Sequence, residues 1–151
     1  MPNDSIVFVD TNVLLYAHDP RDLVKRQSAQ RWVAWCWKAQ RARISTQVLN
    51  ELYVNVRRVA PQLTVEAARA LVRRYRLWNP WPVDGATVDI AWQIQDQCSV
   101  SYWDALMLAA AREQGCNVML TEDMQHSQHI DGVQIVNPFL AEPASLGLVT
   151  P

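Results

Sequence analysis

The first patterned stretch of the chain is Ile6-Val7-Phe8-Val9, four apolar residues in succession, closed abruptly by Asp10. A β-favouring run without polar alternation predicts a strand covered on both faces, as in a parallel sheet. Val118-Met119-Leu120 repeats the pattern and again ends in polar residues, Thr121-Glu122-Asp123. Arg43-Ile44-Ser45 and Val133-Gln134-Ile135-Val136 predict two further strands. Between these runs the period turns helical. A short helix is expected over 13–17, capped by Thr11 or Asn12. A longer one over 23–40 puts Ala29, Trp32, Val33 and Cys36 on one face and leaves Trp35 and Trp37 off that stripe, where exposure would offer a partner or dimer surface, although large side chains on a broad apolar face are the commoner explanation. The next, capped by Ser45 or Thr46 and ended by Pro61, turns Val48, Leu52, Val56 and Val59 inward, with Glu51 beside that stripe. Thr64 opens another, with Leu71, Val72 and Tyr75 inward and Arg69, Arg73 and Arg76 outward, which stops at Trp78-Asn79-Pro80-Trp81-Pro82. Two more are expected over 86–98 and from Ser101 to Gly115. Strands separated by helices, with connections too long for hairpins, predict an α/β fold: an α/β/α sandwich around a small parallel sheet.

Length and composition narrow the setting. The 151 residues suit one domain, 1–151, with an irregular tail from about 138 that carries Pro138, Pro143 and Pro151. Half the chain is apolar and 19% charged. No apolar run approaches a membrane span of roughly 18 residues, and Met1-Pro2-Asn3-Asp4 lacks the basic flank of a leader, so a cytoplasmic protein is expected. Cys36, Cys98 and Cys116 are scattered and read as small hydrophobes in a reducing compartment. A net charge of −1 conceals a basic first half, since all cations but Arg112 precede residue 80. Solvated helix faces explain single cations; together, Arg57, Arg58, Arg73, Arg74 and Arg76 would offer a rim that attracts a polyanion.

Four acids stand out by position. Asp10 and Asp123 follow buried strands, Asp104 opens an apolar helix, and Glu51 lies in the helix after the second strand. Strand carboxyl ends and the helix starts beside them share one crevice, where ligands of open α/β sheets bind. Carboxylates gathered there repel and raise one another's pKa, and a divalent cation is the usual remedy. Oxygen donors without paired His or Cys favour Mg²⁺ or Mn²⁺. Such an ion lowers the pKa of a water, aligns it with a phosphodiester and neutralises the leaving oxygen, which suggests hydrolysis of a nucleic-acid backbone. Each acid alone has a plainer reading: Asp104 as a helix cap, Asp123 as a turn residue, Glu51 as a solvated helix residue.

The residues also carry a resemblance. Phe8-Val9-Asp10-Thr11-Asn12-Val13-Leu14-Leu15-Tyr16-Ala17, Ser45-Thr46-Gln47-Val48-Leu49-Asn50-Glu51-Leu52-Tyr53, Ser101-Tyr102-Trp103-Asp104-Ala105-Leu106 and Leu120-Thr121-Glu122-Asp123-Met124-Gln125-His126 resemble, in order, four motifs of PIN-domain proteins, most closely the VapC-like toxins of type II toxin–antitoxin modules. The resemblance implies a Mg²⁺- or Mn²⁺-dependent endoribonuclease, usually a homodimer, silenced by an antitoxin protein. It implies that Asp10, Glu51, Asp104 and Asp123 form the catalytic, metal-binding cluster, with Glu122 as an alternative to Asp123. Thr11, Asn12 and Thr121 would hold those carboxylates by hydrogen bonds. Relatives often carry glycine after the histidine of the fourth motif, where this chain has Ser127.

Other patterns point elsewhere less strongly. His126-x-x-His129 lacks a third ligand and reads as loop packing. Four glycines form no phosphate-binding loop, and no serine sits in a nucleophile elbow. Trp78 and Trp81 could stack on unpaired bases, although seven tryptophans more often serve core and interface. A catalytically idle PIN-fold module that binds RNA or protein, and a DNA flap-type nuclease of related fold, are the alternative functions.

Overall fold

The computed structural model describes residues 4–148; Met1–Asn3 and Pro151, on which part of the leader and tail readings rest, lie outside the described residues. Strand β1 (Val7–Val9) leads into helix α1 (Thr11–Tyr16), then α2 (Leu23–Ala39), β2 (Ala42–Arg43), α3 (Thr46–Val59) and α4 (Val65–Tyr75). A 3-10 turn over Arg76–Trp78 precedes α5 (Gly85–Gln97) and α6 (Tyr102–Glu113), and the chain then forms β3 (Val118–Leu120), β4 (His129–Ile130) and β5 (Val133–Val136). The sheet order is β2-β1-β3-β5-β4, with the first four strands parallel. Helices flank it: α1 packs on α2 and α3, α3 on α4, and α5 on α6, which also touches β5. Val7, Phe8, Val9, Val118, Met119 and Leu120 are completely buried, which is why both strands read as unbroken apolar runs.

Each helix start has a side-chain acceptor. Asp22, Ser45, Thr64, Asp84 and Ser101 bond the amide three residues on, as N-caps do. The cap of α1 is Asp10 itself, bonded to the amide of Asn12 at 3.5 Å, rather than Thr11 or Asn12. The sheet also has an edge that the apolar pattern did not foretell. Strand β4 runs antiparallel to β5, joined by Asp131 (φ 52°) and Gly132 (φ 82°). Two successive left-handed residues make the tight turn that Asp-Gly favours, so a hairpin exists and the sheet is mostly rather than wholly parallel.

Three tryptophans are covered by packing beyond the single helical stripe. Trp35 is 6% exposed because the tail returns across α2. There Trp32 Nε1 donates to the Ala141 carbonyl at 2.9 Å, Arg31 forks onto Glu142, and Leu148 is buried. Trp37 and Trp78 meet with ring centroids 5.0 Å apart, and Tyr75 lies 4.9 Å from Trp78. This aromatic cluster joins α2 to α4 and puts Trp78 in the core, so it does not stack on bases. Trp81 is half-buried and donates to Thr87 Oγ1 at 3.1 Å. Burial pushes the Cys116 thiol up to about 12, consistent with an inert cysteine. Among the described residues no helix is long and apolar enough to cross a membrane.

Candidate metal centre

Parallel pairing of β1 with β3 sets Val9 opposite Leu120, so the next residues, Asp10 and Thr121, emerge side by side at the carboxyl edge. The Asp10 amide extends the ladder by one bond to the Leu120 carbonyl, 3.0 Å. Asp123 follows two residues after Thr121, and its amide bonds Thr121 Oγ1 at 3.1 Å. Asp104 reaches the same place from the first turn of α6. Ser101 is that helix's cap, its Oγ accepting from the Asp104 amide at 3.1 Å, which leaves the Asp104 carboxylate free of the capping task. One carboxylate oxygen each from Asp10, Asp104 and Asp123 lies within 4.8 Å of the others.

Glu51 stands beside this trio rather than in it. Its Oε2 accepts from Thr11 Oγ1 at 2.7 Å and its Oε1 from Gln47 Nε2 at 3.0 Å. The three expected hydrogen-bond donors each meet one acid: Thr11 meets Glu51, Asn12 Nδ2 meets Asp123 Oδ2 at 2.7 Å, and Thr121 Oγ1 meets Asp10 Oδ2 at 2.7 Å. Glu122 faces away from the trio, paired with Lys25 at 2.8 Å. His126 accepts the Asn137 amide through Nδ1 at 3.0 Å, and His129 lies exposed on β4. Sequence reasoning missed Gln47, which ties Glu51 to the Trp103 carbonyl, and Trp103 itself. Two signals were available: Gln47 precedes Glu51 by one helical turn, and Trp103 adjoins Asp104.

Burial and mutual repulsion shape the electrostatics. Asp10 is 2% exposed, and its carboxyl is pushed up to about 7, first by loss of solvent and then by Asp123 and Asp104, against the lowering bond from Thr121. Burial also raises Asp104, with Asp123 and Glu51 adding repulsion, and raises Asp123, with Glu122 and Glu51 adding to it. None of the four ion pairs found among the described residues involves Asp10, Glu51, Asp104 or Asp123. An uncompensated set of hard oxygen donors from three separate elements fits Mg²⁺ or Mn²⁺.

Comparison with known families matches the PIN domain over residues 7–130. A search among curated proteins returns no significant match. Among solved structures the chain is similar to a toxin–antitoxin complex from Klebsiella pneumoniae (19% identity, 89% of this chain and 98% of that one, TM-score 0.66). It is similar to FitAcB from Neisseria gonorrhoeae (19% identity, 89% and 99%, TM-score 0.61). It is also similar to VapC20 of Mycobacterium tuberculosis, described as a toxin that cleaves the sarcin-ricin loop (24% identity, 75% and 86%, TM-score 0.57). At these identities the structures establish a shared fold.

Proposed function

Because the chain belongs to the PIN-domain family, its residues 7–130 matching that domain, we propose that it is a divalent-metal-dependent endoribonuclease, the toxin of a toxin–antitoxin module acting in the cytoplasm. The observation that carries this reading is the convergence of Asp10, Asp104 and Asp123 within 4.8 Å at the carboxyl edge of the sheet. A structural neighbour described as a toxin–antitoxin complex, and another described as a toxin, support the module and an antitoxin partner.

In this reading Asp10, Asp104 and Asp123 would hold Mg²⁺ or Mn²⁺. When bound, the ion supplies Lewis acidity that acidifies water and offsets charge on a phosphodiester. Glu51, gripped by Thr11 and Gln47, would stand beside the ion, placed to orient the attacking water or a second cation. Asn12 and Thr121 fix the carboxylates of Asp123 and Asp10, so that little reorganisation is needed when substrate arrives. Exposed Arg57, Arg58, Arg73, Arg74 and Arg76 on and just beyond α3 and α4 attract the RNA backbone past the acidic field. A homodimer would present two such sites.

Purified protein is expected to cut RNA with Mg²⁺ or Mn²⁺ and not in EDTA, and Asp104→Asn to lose that cleavage while keeping its circular-dichroism spectrum. Equal cleavage by the variant overturns the mechanism. Branched DNA offered beside structured RNA separates a flap-type nuclease, and growth arrest on expression, relieved by Asp104→Ala, tests the toxin role.

A further inference from the structure

We propose that the cavity between the first turns of α3 and α6 is a nucleobase subsite, in which an unpaired base beside the scissile phosphate stacks on Trp103 and meets the side-chain amides of Asn50 and Gln47. This rests on the ribonuclease reading.

The cavity holds about 560 Å³, within the roughly 300–1,000 Å³ of small-ligand pockets, and is lined by Gln47, Asn50, Glu51, Val83, Trp103 and Leu106. It is contiguous with the acids: Glu51 is in its wall, and Trp103 immediately precedes Asp104. Trp103 is 62% exposed, a large apolar surface left in water, and its indole is steadied edge-on by Tyr102, with centroids 5.3 Å apart. Val83 and Leu106 add apolar wall, while the amides supply polar edges.

Gln47 carries the strongest sign of a missing partner. It is 9% exposed, and its Nε2 donates to Glu51 Oε1 and to the Trp103 carbonyl, which fixes the amide's orientation. Its Oε1 is then a buried acceptor with no hydrogen bond in this structure. A buried acceptor left without a partner is costly, so a donor that enters the cavity and reaches it is favoured. Asn50 is exposed, its side chain free to donate or accept. A flat π-surface edged with N–H groups satisfies all three residues. A base tethered to a phosphate at the acids is present there at high effective concentration, which favours it over a free ligand.

The test is binding of a fluorescein-labelled single-stranded RNA of mixed sequence to the full chain, followed by anisotropy in EDTA so that nothing is cut. Stacking is worth about 1–3 kcal/mol per base, so Trp103→Ala is expected to weaken binding about 5- to 150-fold and Trp103→Phe much less. An abasic ribose at one position should weaken the wild type by a similar factor and leave Trp103→Ala unaffected. Wild-type affinity in Trp103→Ala, or the same abasic penalty in both proteins, overturns the subsite. So does a change of oligomeric mass in Trp103→Ala with RNA affinity unchanged. If the wild type neither binds nor cuts RNA, the nuclease reading falls with it; if it cuts RNA and Trp103→Ala binds normally, only the subsite falls.

Discussion

Thr121 donates its hydroxyl to Asp10 Oδ2 at 2.7 Å while its Oγ1 accepts the Asp123 amide at 3.1 Å, so one side chain ties together two acids 113 positions apart in sequence. The clamp holds Asp10 in place without neutralising it, and burial leaves that carboxyl raised to about 7. Much of what the centre will do with protons and cations follows from this arrangement.

Metal-free protein should lose stability as pH rises from about 4 to about 7. The unfolded Asp10 ionises near its ordinary value of 3.8 and the folded one near 7, so the folded state binds the extra proton within that window. Asp10→Asn, which keeps an acceptor for Thr121, should therefore stabilise the apoprotein at pH 8 by on the order of 2 kcal/mol, and do nothing near pH 3. Thermal melts across pH in EDTA measure both arms; a variant less stable at pH 8 would contradict the account.

Cation binding should release protons. Near pH 6 the Asp10 proton must leave before Mn²⁺ can be held, so calorimetry in buffers of different ionisation enthalpy should report close to one proton lost, and affinity should climb toward pH 8. Binding that is independent of pH in this range would mean that Asp10 is not a ligand.

The adjacent acids Glu122 and Asp123 are expected to part company. Glu122→Gln removes only a partly exposed pair with Lys25, costing about 1 kcal/mol or less, and should leave cleavage within a few-fold of wild type. Asp123→Asn should cost cleavage at least ten-fold, in line with losing a metal ligand or its orienting contacts. The reverse order would reassign the fourth acid.

Thr11→Val preserves shape at a buried site and removes the 2.7 Å bond to Glu51. Cleavage should fall roughly 10- to 100-fold, the range for partners that orient ligands. Thr11→Ser, which restores the hydroxyl, should recover most of the rate. An unchanged rate in the valine variant would mean that Glu51 needs no such positioning.

Ser127 has φ 68°, in the left-handed region. A left-handed non-glycine residue costs roughly 1–2 kcal/mol, partly offset by the entropy that glycine loses on folding. Ser127→Gly should thus stabilise the protein by roughly 0.5–1 kcal/mol in urea melts, and Ser127→Val should destabilise it.

The strands and most helices were legible because their causes are local. Val7-Phe8-Val9 and Val118-Met119-Leu120 are buried on both faces, and a doubly covered strand needs an unbroken apolar run. Ser45, Thr64 and Ser101 announce helix starts by bonding amides three residues away. The Asp131-Gly132 pair is itself a turn signal, but the strand it serves is only two residues long and carries no periodicity of its own.

What tertiary structure alone decided is which side chains meet across the fold. Parallel register put Thr121 against Asp10, the returning tail covered Trp35, and the approach of α6 to α3 left Trp103 open beside Gln47. It also left Glu51 outside the close trio of Asp10, Asp104 and Asp123, and turned Glu122 toward Lys25. Periodicity records only whether a position is covered. The partner that covers it, and the water it loses, depend on chain segments brought together by packing, and these alone separate a solvated carboxylate from one raised to about 7.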